Sequence, residues 1–89
     1  MSEEVSPSVL QILENNIGKM IRVILNNNFG FEGVVATVSP DPPGLWLSSA
    51  EAVVIRTTLA NPIPQVVSRE DRSEIFVNLN FVQRIEIIH

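Results

Sequence analysis

The chain of 89 residues contains no cysteine and a single histidine, His89, which is its last residue. Without cysteine the chain can form neither a disulfide framework nor a thiolate metal site. The histidine has no ligand set beside it in the sequence, so we expect no metal and no cofactor. Ser48 and Ser49 have no companion base, and no glycine-rich phosphate loop is present. The sequence therefore predicts a protein that is not an enzyme.

Positive charge and long apolar runs are also scarce. Six lysines and arginines stand against ten aspartates and glutamates, giving a net charge of −4 that disfavours nonspecific binding to a nucleic-acid backbone. No apolar run is long enough to span a membrane. The first residues lack the basic and then apolar order of a signal peptide. We therefore expect a cytoplasmic protein with no membrane partner and no small-molecule substrate.

Apolar residues, in contrast, make up 45% of the chain, which is typical of a globular protein. The length predicts a single domain over residues 1–89, with a frayed N-terminus at 1–7. Because so small a domain has a small core, some apolar surface is expected to be exposed or covered by a partner.

The first periodic segment predicts a helix of two to three turns. Ser8 or Ser6 can cap its N-terminus, and Gly18 favours its end. The helix presents one apolar face, formed by Val9, Leu10, Leu13 and Ile17.

After Gly18 the apolar period changes to two, which indicates strands. Asparagines at 26–28 and prolines at 39–44 predict two turns. The alternating charges of 57–73 indicate a long loop that connects two strands, and extensions of those strands into its ends stay open. Gly33 lies inside a strand pattern, where glycine marks a bend, a bulge or a close approach. The predicted strands cover 20–25, 29–39, 45–47 with an interrupted continuation through 53–55, 75–77 and 82–88. This order favours a small, strongly bent, five-stranded antiparallel barrel preceded by a helix.

These motifs resemble those of the Sm and Sm-like (LSm) family. The chain is similar to a divergent member of that family. The first motif of that family resembles Gly18-Lys19-x-Ile21-x-Val23-x-Leu25 and its continuation Leu25-x-x-Asn28-x-x-x-x-Gly33-x-Val35. Its closing strand resembles Leu45-x-Leu47, followed by Ala50-Glu51. The second motif resembles residues 75–85.

The resemblance implies a ring of several protomers, in which the fourth strand of one chain pairs with the fifth strand of the next. An apolar edge strand is an aggregation hazard unless it is paired, so a ring also suits the composition. The residues expected at this contact are Phe76, Val77, Val82, Ile85 and Ile87.

The resemblance also implies a site for single-stranded RNA, built from the turn at 39–44 and the segment after the fourth strand. Asp41 corresponds to the aspartate of that site, whereas Gly44 stands where an asparagine reads the base. Asn78 and Leu79 stand where an Arg-Gly pair is usual, so the stacking guanidinium is missing. The candidate RNA-binding residues are Asp41, Asn78, Asn80 and Phe81.

Two interpretations of the function stay open. One is a ring-forming protein that binds single-stranded RNA, or serves RNA metabolism, with a non-standard base pocket. The other is a scaffold for protein–protein contacts that has lost RNA binding. Trp46 either packs in the core or an interface, or serves as a platform on which a base stacks. Asn78 and Asn80 either form a turn or read a base.

Overall fold

One helix and five antiparallel strands form the structure, a computed structural model that describes residues 7–26, 29–60 and 62–88. The sheet order is β4-β3-β2-β1-β5, which confirms the predicted helix and five-stranded antiparallel sheet. The elements in chain order are helix α1 (Pro7–Glu14), β1 (Met20–Asn26), β2 (Phe29–Pro40), β3 (Pro43–Arg56), β4 (Gln65–Asn78), a 3₁₀ turn (Leu79–Phe81) and β5 (Arg84–Ile87).

The inner side of the sheet forms the core because alternate residues of each strand point inward. Helix α1 contributes Leu13, and the 3₁₀ turn contributes Leu79. A second, smaller cluster joins Ile24, Val53 and Ile55, with Val66 packed against it. Fully burying one such aliphatic side chain stabilises the fold by about 1.5–3 kcal/mol. The main cluster's strand residues are Ile21, Val23, Val35, Leu45, Leu47, Ala50 and Val77.

Register shifts interrupt the pairing of the long strands at several points, and two of them involve Gly33 and Ser49. The register of β2 against β3 shifts at Gly33, where a Cβ atom would lie 3.0 Å from the Leu47 Cβ and 3.1 Å from the Ser48 oxygen. The close approach expected of this glycine is therefore present. In β3 the register against β4 shifts between Leu47 and Ala50, and Ser49 has a φ of 50°. The interruption expected in the third strand is thus a kink within one continuous strand.

The connection predicted at 57–73 is a loop only at 57–64, and the strand extension left open at its end covers residues 65–73. Residues 57–64 connect the strands, and β4 begins at Gln65 and pairs with β3 through Arg56↔Gln65 and Val53↔Arg69. This half of β4 is an edge strand in which Val66 packs against the second cluster and the charged run from Arg69 to Arg72 is exposed. Main-chain pairing with β3 holds this half of β4 in the sheet, and such pairing requires no apolar alternation in the sequence.

The other differences are shifts of element ends. Helix α1 stops at Glu14, so Ile17 lies beyond it and is exposed, and Gly18 turns the chain with a φ of 90°. Pro7, expected to be frayed, is the first helical residue, and the rest of that expectation, at 1–6, lies outside the described residues. The asparagine turn also lies outside them at residues 27–28. The turn at 39–44 narrows to residues 41–42, and β5 covers only residues 84–87 of the predicted 82–88.

Candidate nucleic-acid interface

The two turns expected to bind RNA lie side by side at one end of the sheet. Gly44, at the start of β3, pairs with Ser39 of β2 on one side and with Asn78 of β4 on the other. Asp41 lies at the tip of the β2–β3 hairpin, separated from the Ser39↔Gly44 pair by one further residue pair. The 3₁₀ turn begins directly after Asn78. The main-chain register therefore brings the two segments together.

Asn78 is a turn-forming residue in this structure. Its side-chain oxygen accepts a hydrogen bond of 2.9 Å from the main-chain N–H of Asn80 and so caps the 3₁₀ turn. Asn80 and Phe81 are exposed on this turn, and Phe81 retains 70% of its accessible surface. Asp41 is exposed at the hairpin tip.

Six residues of β2, β3 and β4 form two adjacent rows on the solvent-facing side of this end of the sheet. We call this set the aromatic face. Paired residues of antiparallel strands point to the same side, and the intervening row of Val38, Leu45 and Val77 points to the core. The aromatic face consists of the row Thr37–Trp46–Phe76 and the row Ser39–Gly44–Asn78.

Trp46 and Phe76 pack together and are both exposed. Their ring centroids are 5.3 Å apart with an interplanar angle of 56°. Trp46 retains 46% of its accessible surface and Phe76 retains 36%. Of the alternatives for Trp46, packing in the core of its own chain is excluded, because Trp46 points outward between the inward-facing Leu45 and Leu47. An interface or a stacking role stays open for it.

Gly44 makes room for the Phe76 ring. A Cβ atom at position 44 would overlap the ring and would lie 2.7 Å from the main-chain oxygen of Val77. The position at which the resemblance expects a base-reading asparagine can therefore accept no side chain while Phe76 keeps this rotamer.

A row of charged residues crosses the solvent-facing side of all five strands, away from the two turns. Direct strand partners in this row are Glu86, Arg22, Glu32, Glu51 and Asp71. The guanidinium of Arg22 donates to Glu32 at 2.7 Å and to Glu86 at 2.9 Å. Arg69 donates to Glu32 at 2.6 Å and to Glu51 at 3.0 Å. This charged row was not foreseen, because it depends on cross-strand register rather than on spacing in the sequence.

Glu32 is the buried centre of the charged row, with 5% of its surface accessible. Burial raises the pKa of the Glu32 carboxyl, but the hydrogen bonds and the positive charges of Arg69 and Arg22 together lower it by more, so that it lies below the ordinary value of 4.5. The hydrogen bond to Glu32 in turn raises the pKa of Arg69. Because carboxylates outnumber guanidiniums here, the row repels a phosphate backbone.

The ion pairs occupy most of the chain's positive charge. Of the six lysines and arginines, Arg22, Arg69, Arg72 and Arg84 each form an ion pair with a carboxylate. In the described part of the chain, no group of three acidic, histidine or cysteine side chains is placed to hold a metal ion. None of the described helices is long and apolar enough to cross a membrane.

The residues expected at a protomer contact lie on both edge strands, except Val82, which lies between the 3₁₀ turn and β5. Val77 faces the core of its own chain with 4% exposure, so only its main chain is at the β4 edge. Val82, Ile85 and Ile87 are half-buried and line a groove of about 450 Å³ beside Val9 and Ile12 of α1. Phe76 belongs to the aromatic face described above.

Solved structures share this architecture along most of the chain. The Sm protein of Pyrococcus abyssii in complex with a uridine heptamer aligns with a TM-score of 0.62 at 18% identity, over 94% of this chain and 100% of that one. The Pyrobaculum aerophilum SmAP1 heptamer gives 0.65 at 19% identity, with coverages of 96% and 99%. The chain has an Sm-like fold.

A third Sm-like structure, AF-Sm2 of Archaeoglobus fulgidus, aligns with a TM-score of 0.62 at 23% identity, over 98% of this chain and 100% of that one. At these identities the similarity establishes the Sm-like fold and not the function. No protein-family model matches the chain, and no curated protein sequence matches it.

Proposed function

We propose that this Sm-like chain self-associates into a ring that binds single-stranded RNA. The ring part of the proposal is supported by the sheet order, which leaves β4 and β5 as the two outermost strands. In the described part of the chain, no strand pairs with the outer edge of either one. Pairing β4 of one chain with β5 of the next would satisfy both edges at every contact of a closed ring. Two of the structures with this fold are described as heptamers.

The observation that carries the RNA part is the Gly44↔Asn78 pairing, because it places the β2–β3 turn beside the 3₁₀ turn. A solved protein with the same fold is in complex with a uridine heptamer. In our proposal Asp41 and Asn80 offer hydrogen-bonding groups from the two turns, and the exposed Phe81 offers a ring to a base. Asn78 acts through the shape of the turn that it caps.

The proposed base pocket differs from the one that the resemblance implies. Gly44 has no amide for a base edge, and Asn78 has no guanidinium to stack on a base and uses its side-chain oxygen in the cap. We therefore propose a site with little discrimination among bases. We further propose that residues 1–89 act as one domain, without catalysis, in the cytoplasm.

A protein–protein scaffold is the second candidate function. The observation that favours it is the connection between β3 and β4, where Leu59 is fully exposed and Ile63 retains 67% of its surface. In this alternative the ring holds protein partners through that connection, and RNA does not bind.

Fluorescence anisotropy with labelled oligo-U and oligo-A separates the two candidates. We expect saturable binding of both oligonucleotides by the assembled protein. Phe81→Ala should weaken binding by about fivefold or more, because stacking on one ring contributes ~1–3 kcal/mol per base. Leu59→Ala is the matched control, an exposed apolar residue far from the turns, and should bind like the wild type. Absence of saturable binding by the assembled ring would contradict RNA binding and favour the scaffold.

A further inference from the structure

We infer that Trp46 and Phe76 form a stacking platform for unpaired nucleobases, separate from the side chains of the two turns. This inference rests on the proposed RNA binding and adds to it a site with a defined ligand chemistry. The platform is the outward row of β2, β3 and β4 in which Thr37, Trp46 and Phe76 are direct strand partners.

The two rings present an exposed π surface on regular strands. Trp46 retains 46% and Phe76 retains 36% of the accessible surface, and the rings support each other at a centroid distance of 5.3 Å. Aromatic residues on strands are held more rigidly than those on loops, so little entropy is lost when a base stacks on them. Exposing two large rings costs hydrophobic free energy unless a base or a neighbouring chain covers them.

The surroundings of the rings favour a nucleobase over an apolar protein surface. The two rings share the aromatic face with the hydroxyls of Thr37 and Ser39 and the side-chain amide of Asn78. A base has the complementary form, with a flat π surface that stacks and an edge of donors and acceptors that hydrogen-bonds. An apolar protein patch would leave these polar groups without partners.

Gly44 links the platform to the two turns. Because this position carries no side chain, the Phe76 ring reaches across to the row of Ser39, Gly44 and Asn78. The platform is thereby continuous with the end of the sheet at which the two turns meet. A strand of RNA that contacts Phe81 and Asp41 would therefore find the two rings next to it on the same end of the sheet.

Stacking also fits the charge of the chain. Four of the six cationic side chains are engaged by carboxylates, so few are available for phosphates. Affinity must then come largely from stacking, which tolerates any base because every base has a π surface. The ligand class that we infer is single-stranded RNA with little sequence preference.

The emission of Trp46 tests the platform directly, because it is the only tryptophan in the chain. Titration with unlabelled oligo-U and oligo-A should quench this emission, with the same midpoint as binding followed by anisotropy of labelled oligonucleotides. Trp46→Phe should keep the affinity within about threefold, whereas Trp46→Leu, which stays apolar but has no π surface, should lose about tenfold. Circular dichroism and solution mass verify that both variants fold and assemble.

The outcomes separate this inference from the proposed function. Saturable RNA binding with unchanged Trp46 emission, or with wild-type affinity for Trp46→Leu, would overturn the platform and leave RNA binding intact. Absence of binding in the anisotropy measurement would overturn both. Emission that changes with protein concentration in the absence of RNA, and not on RNA addition, would place Trp46 at a protein contact and overturn the platform.

Discussion

The ring of Phe76 lies directly over the α-carbon of Gly44, its diagonal neighbour across the β3–β4 pairing. This contact explains why a glycine stands where the resemblance to Sm proteins expects a base-reading asparagine. One residue provides the aromatic surface, and the other provides the space for it.

Gly44→Ala should destabilise the fold by about 1–3 kcal/mol, because the added methyl group overlaps the Phe76 ring and approaches the fixed main-chain oxygen of Val77. Urea unfolding measures the change. The double variant Gly44→Ala with Phe76→Ala should show a smaller loss than the sum of the two single variants, since removal of the ring relieves part of the overlap. Strict additivity would contradict the contact.

Glu32→Gln should destabilise the fold by about 1–3 kcal/mol, because the neutral amide cannot compensate the guanidiniums of Arg22 and Arg69. Glu70→Gln is the matched control. Its carboxylate pairs with Arg72 on the exposed surface of β4, where an ion pair contributes little, and we expect a change below about 0.5 kcal/mol. If both variants lost the same free energy of unfolding, the burial of Glu32 at the centre of the charged row would not add to its contribution.

Stability should fall on acidification, and Glu32 should carry part of that fall. Its pKa in the fold lies below the ordinary value of 4.5, so the folded state binds a proton less readily than the unfolded chain. Its contribution is present in full above the unfolded pKa and is lost as the pH falls through the folded pKa. The free energy of unfolding from neutral to acidic pH should therefore decline less steeply in Glu32→Gln than in the wild type. Parallel curves would contradict the assignment.

RNA binding should depend only weakly on salt. Because most cations are held in ion pairs, we expect a plot of log affinity against log salt concentration to slope no more steeply than about −2, which corresponds to roughly three phosphate contacts on a single strand. Anisotropy titrations over a range of potassium chloride concentrations give this slope. A slope of about −5 or steeper would mean that phosphate contacts dominate and that stacking does not.

The fold could be predicted largely because its core strands have two-residue alternation. Ile21, Val23 and Leu25 predict β1, and Gly33 predicts the close approach in β2. The first half of β4 could not be recognised, because it has no apolar alternation and its charged side chains are typical of a loop. The ends of α1 and β5 are set by tertiary contacts that local patterns do not encode.

The candidate site was predictable as two segments but not as an arrangement. The sequence places Asp41 and Asn78 in different turns, and only the strand register shows that the turns lie side by side. The outward direction of Trp46 and the space over Gly44 likewise depend on register. The charged row around Glu32 unites residues of all five strands, which no spacing in the sequence reveals.

The solution mass of the chain, measured by multi-angle light scattering, tests most directly whether the two free edges close into a ring. We expect a single species of several chains for the wild type. Ile87→Asp, which places a charge in the half-buried apolar groove of the edge strand β5, should reduce it to one chain that still has the circular dichroism spectrum of the fold, whereas Ile63→Asp, in the exposed β3–β4 connection, should keep the wild-type mass. A wild-type protein that elutes as a monomer at micromolar concentration would contradict the account.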